Sequence, residues 1–141
     1  MKKTALLLLF ITLLSACSGS KEVKQVSEES KTFQEAAALA ETVRSAFVSK
    51  DRVTLQKNST EEGYRDIMAG KKAFDEVALV FTPRWLDIEQ SQVLLNISWQ
   101  SVWTNAGKKN EDRGMAVFVM EGRPLKVSKV LRSNPFVSPE Q

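Results

Sequence analysis

The sequence predicts an α+β fold in which N-terminal helices pack on one face of a curved antiparallel sheet. Apolar residues recur at helical spacing between Thr32 and Gly70, and from Val77 onward the period changes to two. The alternating segments then follow one another with only turn signals between them. Helices first and strands afterwards is the order of a segregated α+β domain, not of alternating βαβ units.

Each element has its own signature. Thr32 with Glu35 reads as a capping box, and Phe33, Ala36, Ala37, Ala40, Val43 and Phe47 form one helical stripe behind it. The alanines let that helix lie close to a sheet. Asp51 is placed to cap a short second helix carrying Val53 and Leu55. Ser59 with Glu62 reads as a second capping box, with Tyr64, Ile67 and Met68 on one face and Gly70 as the stop; Gly63 is a weak point inside that helix. Val77, Leu79 and Phe81 alternate until Pro83 breaks the run, and Trp85–Glu89 reads as a separate short strand. After a turn at Gln90-Ser91-Gln92, a long strand places Val93, Leu95, Ile97, Trp99 and Trp103 on one face. Asn105-Ala106-Gly107 opens a charged hairpin loop through Asp112. Arg113–Met120 is a strand apolar on both faces, Leu125–Leu131 is the last strand, and Asn134-Pro135-Phe136 closes the domain.

This order resembles the NTF2-like superfamily, also called SnoaL-like or cystatin-like. Its members have a helix with a small-residue stripe, one or two short helices and a bent sheet forming a cone. The resemblance spans residues 31–136 and is best over Val93–Phe136, with its Trp-bearing strand, hairpin, "RGMAVFVMEGRPLKVSKV" and terminal Asn-Pro-Phe. It implies an architecture shared by enzymes and by small bacterial envelope lipoproteins.

The first seventeen residues carry a separate message. Lys2 and Lys3 precede an apolar stretch from Ala5 to Leu14, which as a helix spans only about 15 Å, half a bilayer core. Leu14-Ser15-Ala16-Cys17 then matches the bacterial lipobox, in which an aliphatic and two small residues precede a cysteine whose thiol takes up diacylglycerol. The expected organisation is a signal peptide at 1–16 cut between Ala16 and Cys17, a polar tether at 17–30, the domain at 31–136 and a tail at 137–141. Several acyl chains such as palmitate anchor stably where one does not. Ser18 after the cysteine, by resemblance to Gram-negative sorting rules, favours the outer membrane facing the periplasm.

Composition excludes other classes. Lys2 and Lys3 belong to the leader, so 18 of the 20 basic residues face 17 acidic ones in the mature chain, a formal +1. With no basic stripe, nucleic acid is not an expected partner. The chain has one Cys and no His, and its acids show no metal-ligand spacing, so neither a metal nor a cofactor is expected. The His-Asp pair of the cyclases and dehydratases in the resembled family is absent. An isomerase-like site needs a Tyr and two acids in an apolar pocket; Tyr64 is the single Tyr, and Asp66, Asp75, Glu76, Asp87 and Glu89 lie in polar stretches or at strand ends. No catalytic residue is assigned.

The three Trp are the most informative side chains. They read first as core, and in a sharper reading as the lining of a cone mouth, with Tyr64, Trp85, Trp99, Trp103 and Arg113 as the candidate pocket and Arg113 or Arg132 orienting a polar group on an apolar ligand. The expected function is a membrane-anchored, non-catalytic binding or interaction module for a small apolar ligand or an envelope protein. The alternatives are a small isomerase- or dehydratase-type enzyme and a purely structural oligomerising domain. A homodimer through the back of the sheet is a further expectation. If Met115, Val117 and Val119 face the helices, then Ala116, Phe118 and Met120 point outward, with Leu94, Val102 and Val130 beside them, unless the tether or the tail covers that face.

Overall fold

The computed structural model describes residues 26–70 and 73–139. Cys17, the Ala16–Cys17 cleavage site and the signal peptide lie outside them. Three helices come first: α1 (Glu28–Val48), α2 (Arg52–Lys57) and α3 (Glu61–Ile67). Four strands follow: β1 (Glu76–Glu89), β2 (Gln92–Asn105), β3 (Lys108–Glu121) and β4 (Lys126–Arg132). The strands pair antiparallel in chain order, a simple meander. Helices followed by a curved four-stranded sheet is the predicted α+β architecture.

The helix starts differ from the sequence reading in an instructive way. α1 begins one turn before Thr32, capped by Ser27, whose hydroxyl accepts from the Ser30 N–H at 3.1 Å. Thr32 lies inside the helix and donates its hydroxyl to the Glu28 carbonyl. Residues 28–30, read as tether, are therefore helical. Asp51 caps α2 as expected, and hydrogen bonds from the Thr54 hydroxyl and N–H hold its carboxyl below the ordinary carboxylate range. At α3 the cap is Thr60, not Ser59. The Ser59 hydroxyl donates to the Leu55 carbonyl, and the segment around it runs parallel to Val127, with Thr60 N–H donating to Val127 O at 2.9 Å and Val127 N–H to Asn58 O at 3.0 Å. This short ladder explains Gly63. A Cβ there would stand 2.0 Å from the Val127 carbonyl oxygen, so only glycine lets α3 approach β4 this closely.

The sheet corrects two strand boundaries. Pro83 does not end β1. It sits on an edge strand, where its missing N–H costs no ladder bond on the open side, and the chain continues through a bulge between Pro83 and Trp85. The bulge inserts Arg84 and reverses the alternation. Before it Val77, Leu79 and Phe81 pair with Trp103, Ser101 and Trp99 on the helix-facing side; after it Leu86 and Ile88 take that side, opposite Leu95 and Val93. The charged loop predicted through Asp112 is instead the start of β3. Ala106 and Gly107 alone form the turn, with φ of 48° and 77°, the two left-handed residues that a tight hairpin requires. Lys108–Asp112 reads as loop because that end of the hairpin is largely exposed.

In β3 the faces are the reverse of the arrangement that would have left Phe118 outside. Ala116, Phe118 and Met120 face the helices, with Phe118 fully buried between Phe81 and Phe136 at centroid distances of 5.4 and 5.9 Å. Val130, opposite Phe118, shares that side. Met115, Val117 and Val119 occupy the outer face together with Leu94 and Val102. The core thus lies between the sheet and α1, whose Ala36, Ala40, Val43 and Phe47 are all buried. Arg44 fastens the layers: its guanidinium donates to Leu79 O at 2.9 Å and pairs with Glu41, which its hydrogen bonds hold below the ordinary carboxylate range.

Candidate functional site

Among the described residues, one end of the layered core is left open. Where α1 ends, the chain turns through Lys50, whose backbone is left-handed at φ 59°, into α2. The turn, the end of α3, the Ala73–Phe74 segment and the C-terminal Phe136–Ser138 surround a cavity of about 360 Å³. That is the lower range of small-molecule sites.

Its aromatic wall is built by side chains from four separate segments. Phe74 stands edge-on to Trp103, with centroids 5.0 Å apart and planes at 85°. Phe47 lies 5.5 Å from Phe74 and 4.8 Å from Phe136. Leu55, Ile67 and Met68 supply the aliphatic side. Trp103 is held by its indole N–H, which donates to Ser101 Oγ at 3.0 Å. The rim is cationic. Lys50 Nζ sits 4.8 Å above the Phe74 ring centre and donates to the Phe74 carbonyl at 2.9 Å and the Asp75 carbonyl at 3.4 Å. Arg52 stands two residues on, exposed. Among the described lining residues there is no carboxylate.

Of the five candidate pocket residues, only Trp103 lines this cavity. Trp99 is core, 2% exposed, with its indole N–H donating to Ser133 O at 3.0 Å. Gly114 opposite makes the room, since a Cβ there would come within 2.9 Å of the Trp99 ring. Trp85 is on the other side of the sheet, because the Arg84 bulge turns it outward opposite Asn96. Its indole donates to Asp87, which also accepts from Asn96, both at 3.2 Å. Arg113 projects from the outer face opposite Gln100. Tyr64 packs against the core from α3 and does not line the cavity. Arg132 is exposed at the end of β4.

Three of the five acids singled out in the sequence, Asp66, Asp75 and Asp87, serve the fold. Asp66 accepts from the Val130 N–H at 2.9 Å, and its carbonyl takes the Asn134 amide at 2.8 Å. Asp75 accepts from the Ala106 N–H at 2.8 Å and so fixes the hairpin turn. Among the described residues no three His, Cys, Asp or Glu side chains converge as a metal site, and no helix is long and apolar enough to cross a membrane.

Sequence reasoning missed Phe47, Phe74 and Phe136 as site residues and Lys50 and Arg52 as the rim. Phe47 ends the α1 stripe and Phe136 follows Asn134-Pro135, so each was visible as core. Nothing local shows that the ends of four elements meet.

No protein-family model and no curated protein matches the chain. A solved structure does. It is an NTF2-like superfamily protein from Salmonella enterica serovar Typhimurium LT2, superposing with a TM-score of 0.61 at 14% identity, over 75% of this chain and 92% of that one. The fold is NTF2-like. The cavity forms a mouth at one end of this fold, and Trp99, Phe118 and Phe136 are buried in its core.

Proposed function

We propose that the protein is a lipid-anchored envelope lipoprotein whose NTF2-like domain acts as a non-catalytic binding module, with the mouth cavity as its site. The observation that carries the binding reading is the aromatic enclosure of Phe47, Phe74, Trp103 and Phe136. Such a surface gains by excluding water from an apolar ligand. Supporting the non-catalytic part, the described lining offers no carboxylate, imidazole or phenol to move a proton. At roughly 30 Å³ per water-sized group, the volume holds a ligand of about a dozen heavy atoms.

Titration of 2-naphthylmethanol, a neutral apolar probe of that size, into the full-length protein in lipid nanodiscs tests the site. Saturable binding above empty nanodiscs is expected, and Ala73→Trp at the rim should block it. Absent binding, or binding indifferent to Ala73→Trp, would refute the reading. The anchor is tested by mass spectrometry. A mature N-terminus on triacylated Cys17, lost in Cys17→Ser, is expected from Leu14-Ser15-Ala16-Cys17. Any other N-terminus disproves it.

A further inference from the structure

We propose that the mouth cavity selects an aromatic or apolar ligand bearing one carboxylate, with its body against Phe47, Phe74 and Trp103 and its head between Lys50 and Arg52. This rests on reading the cavity as a binding site and adds the class of ligand. The first ground is a charge imbalance at one place. Among the described residues, two cations and no carboxylate line the cavity. The ion pairs among the described residues are Lys31–Glu28, Arg44–Glu41, Arg65–Glu61 and Lys129–Glu62, and neither rim cation takes part. The acid between them, Asp51, is turned to Thr54 as the cap of α2.

The second ground is how Lys50 is held. Its acceptors are the main-chain carbonyls of Phe74 and Asp75, neutral dipoles that position the ammonium without cancelling its charge. An ammonium has three donors, so one remains for a ligand. Its place above the Phe74 ring puts that charge at the boundary of the aromatic wall, where the polar end of an amphipathic molecule would emerge. Fixing the loop at 73–75 accounts for Lys50 but not for Arg52, whose planar fork matches a carboxylate in bidentate geometry.

The test compares 2-naphthoate with 2-naphthylmethanol by calorimetry on the full-length protein in nanodiscs, with empty nanodiscs as blank. The acid should bind roughly tenfold tighter at low salt, the equivalent of one charge-assisted hydrogen bond of about 1.4 kcal/mol. Arg52→Gln should reduce this preference, as should Lys50→Gln, while Lys31→Gln at the far end of α1 should not; thermal melts check that each variant is folded. The preference should also shrink as salt is raised. Equal binding of the two probes to the unsubstituted protein, or a preference that survives both rim substitutions, would overturn the carboxylate proposal and leave the binding site standing. Failure of the alcohol itself to bind removes the site and this proposal with it.

Discussion

Gly63→Ala separates two opposing effects at one atom. In an exposed helix the change is stabilising by about 1 kcal/mol, because alanine is the better helix former. Here the new Cβ would stand 2.0 Å from Val127 O and 2.7 Å from its carbon. Both are rigid main-chain atoms, so α3 must retreat from β4 by more than an ångström. The retreat stretches the bonds that join them, Thr60 N–H to Val127 O at 2.9 Å and Val127 N–H to Asn58 O at 3.0 Å, past useful length. Two such bonds are worth about 1 kcal/mol each. The strain of overpacking adds about 1–3 kcal/mol. Offset by the propensity gain, the expected net loss is about 2–4 kcal/mol. Urea denaturation followed by Trp fluorescence should show the midpoint falling by about 1–2 M, given a typical slope for a small domain. Gly107→Ala is the contrast: nothing lies within 4 Å of its Cβ position, so only the left-handed backbone at φ 77° is penalised, at about 1–2 kcal/mol. A Gly63→Ala protein as stable as its parent would refute the close approach of α3 to β4.

Three further outcomes are expected. Trp99→Ala should cost about 3–5 kcal/mol in chemical denaturation, as truncation of a buried Trp does, and a loss below about 1 kcal/mol would show that Trp99 is not core. Stability should hold from neutral pH down to the ordinary carboxylate range and fall below it. Glu41, held down chiefly by its hydrogen bonds to Arg44, and Asp51, held down chiefly by the Thr54 hydroxyl, each bind fewer protons folded than unfolded, so their contribution is present above the unfolded value and lost as pH drops through the folded one; Glu41→Gln should flatten the acid limb, and a midpoint rising on acidification would contradict this. For the homodimer expected from the sequence, now resting on the opposite side chains of β3, sedimentation should show self-association weakened by Leu131→Lys, which places a charge beside Val117 on the outer face; a clean monomer at high concentration excludes it.

Much of the fold was legible because the sheet and α1 obey their periods. Val93, Leu95, Ile97, Trp99 and Trp103 share a face as the alternation requires, and the alanine stripe of α1 is buried as its spacing requires. The errors came where one residue changed the phase or the boundary. Pro83 looked like a stop because sequence does not reveal that β1 is an edge, and the inserted Arg84 reversed every later side chain of that strand, carrying Trp85 out of the expected pocket. Gly63 looked like a flaw because its reason is a carbonyl sixty-four residues away, at Val127. The site was the least legible part. Its residues stand at element ends, where periodicity stops, and only Trp103 lies within a patterned strand.

The same geometry sets where the mouth stands relative to the proposed anchor. α1 runs antiparallel to β1: Ser27, Ser30 and Phe33 lie beside Arg84–Leu86, while Arg44 reaches Leu79. Its 21 residues rise about 31 Å, so the end that leads back to Cys17 and the Lys50 turn at the mouth are at opposite ends of the domain. Between them Phe136 joins Phe47, Phe81 and Phe118 in one aromatic stack. If Cys17 is lipidated as proposed, the anchor attaches at the end of the domain opposite the mouth. That arrangement suits a rim of two exposed cations: a carboxylate reaching the site from water keeps its outer oxygens solvated while its apolar body enters, and so avoids the full cost of burying a charge.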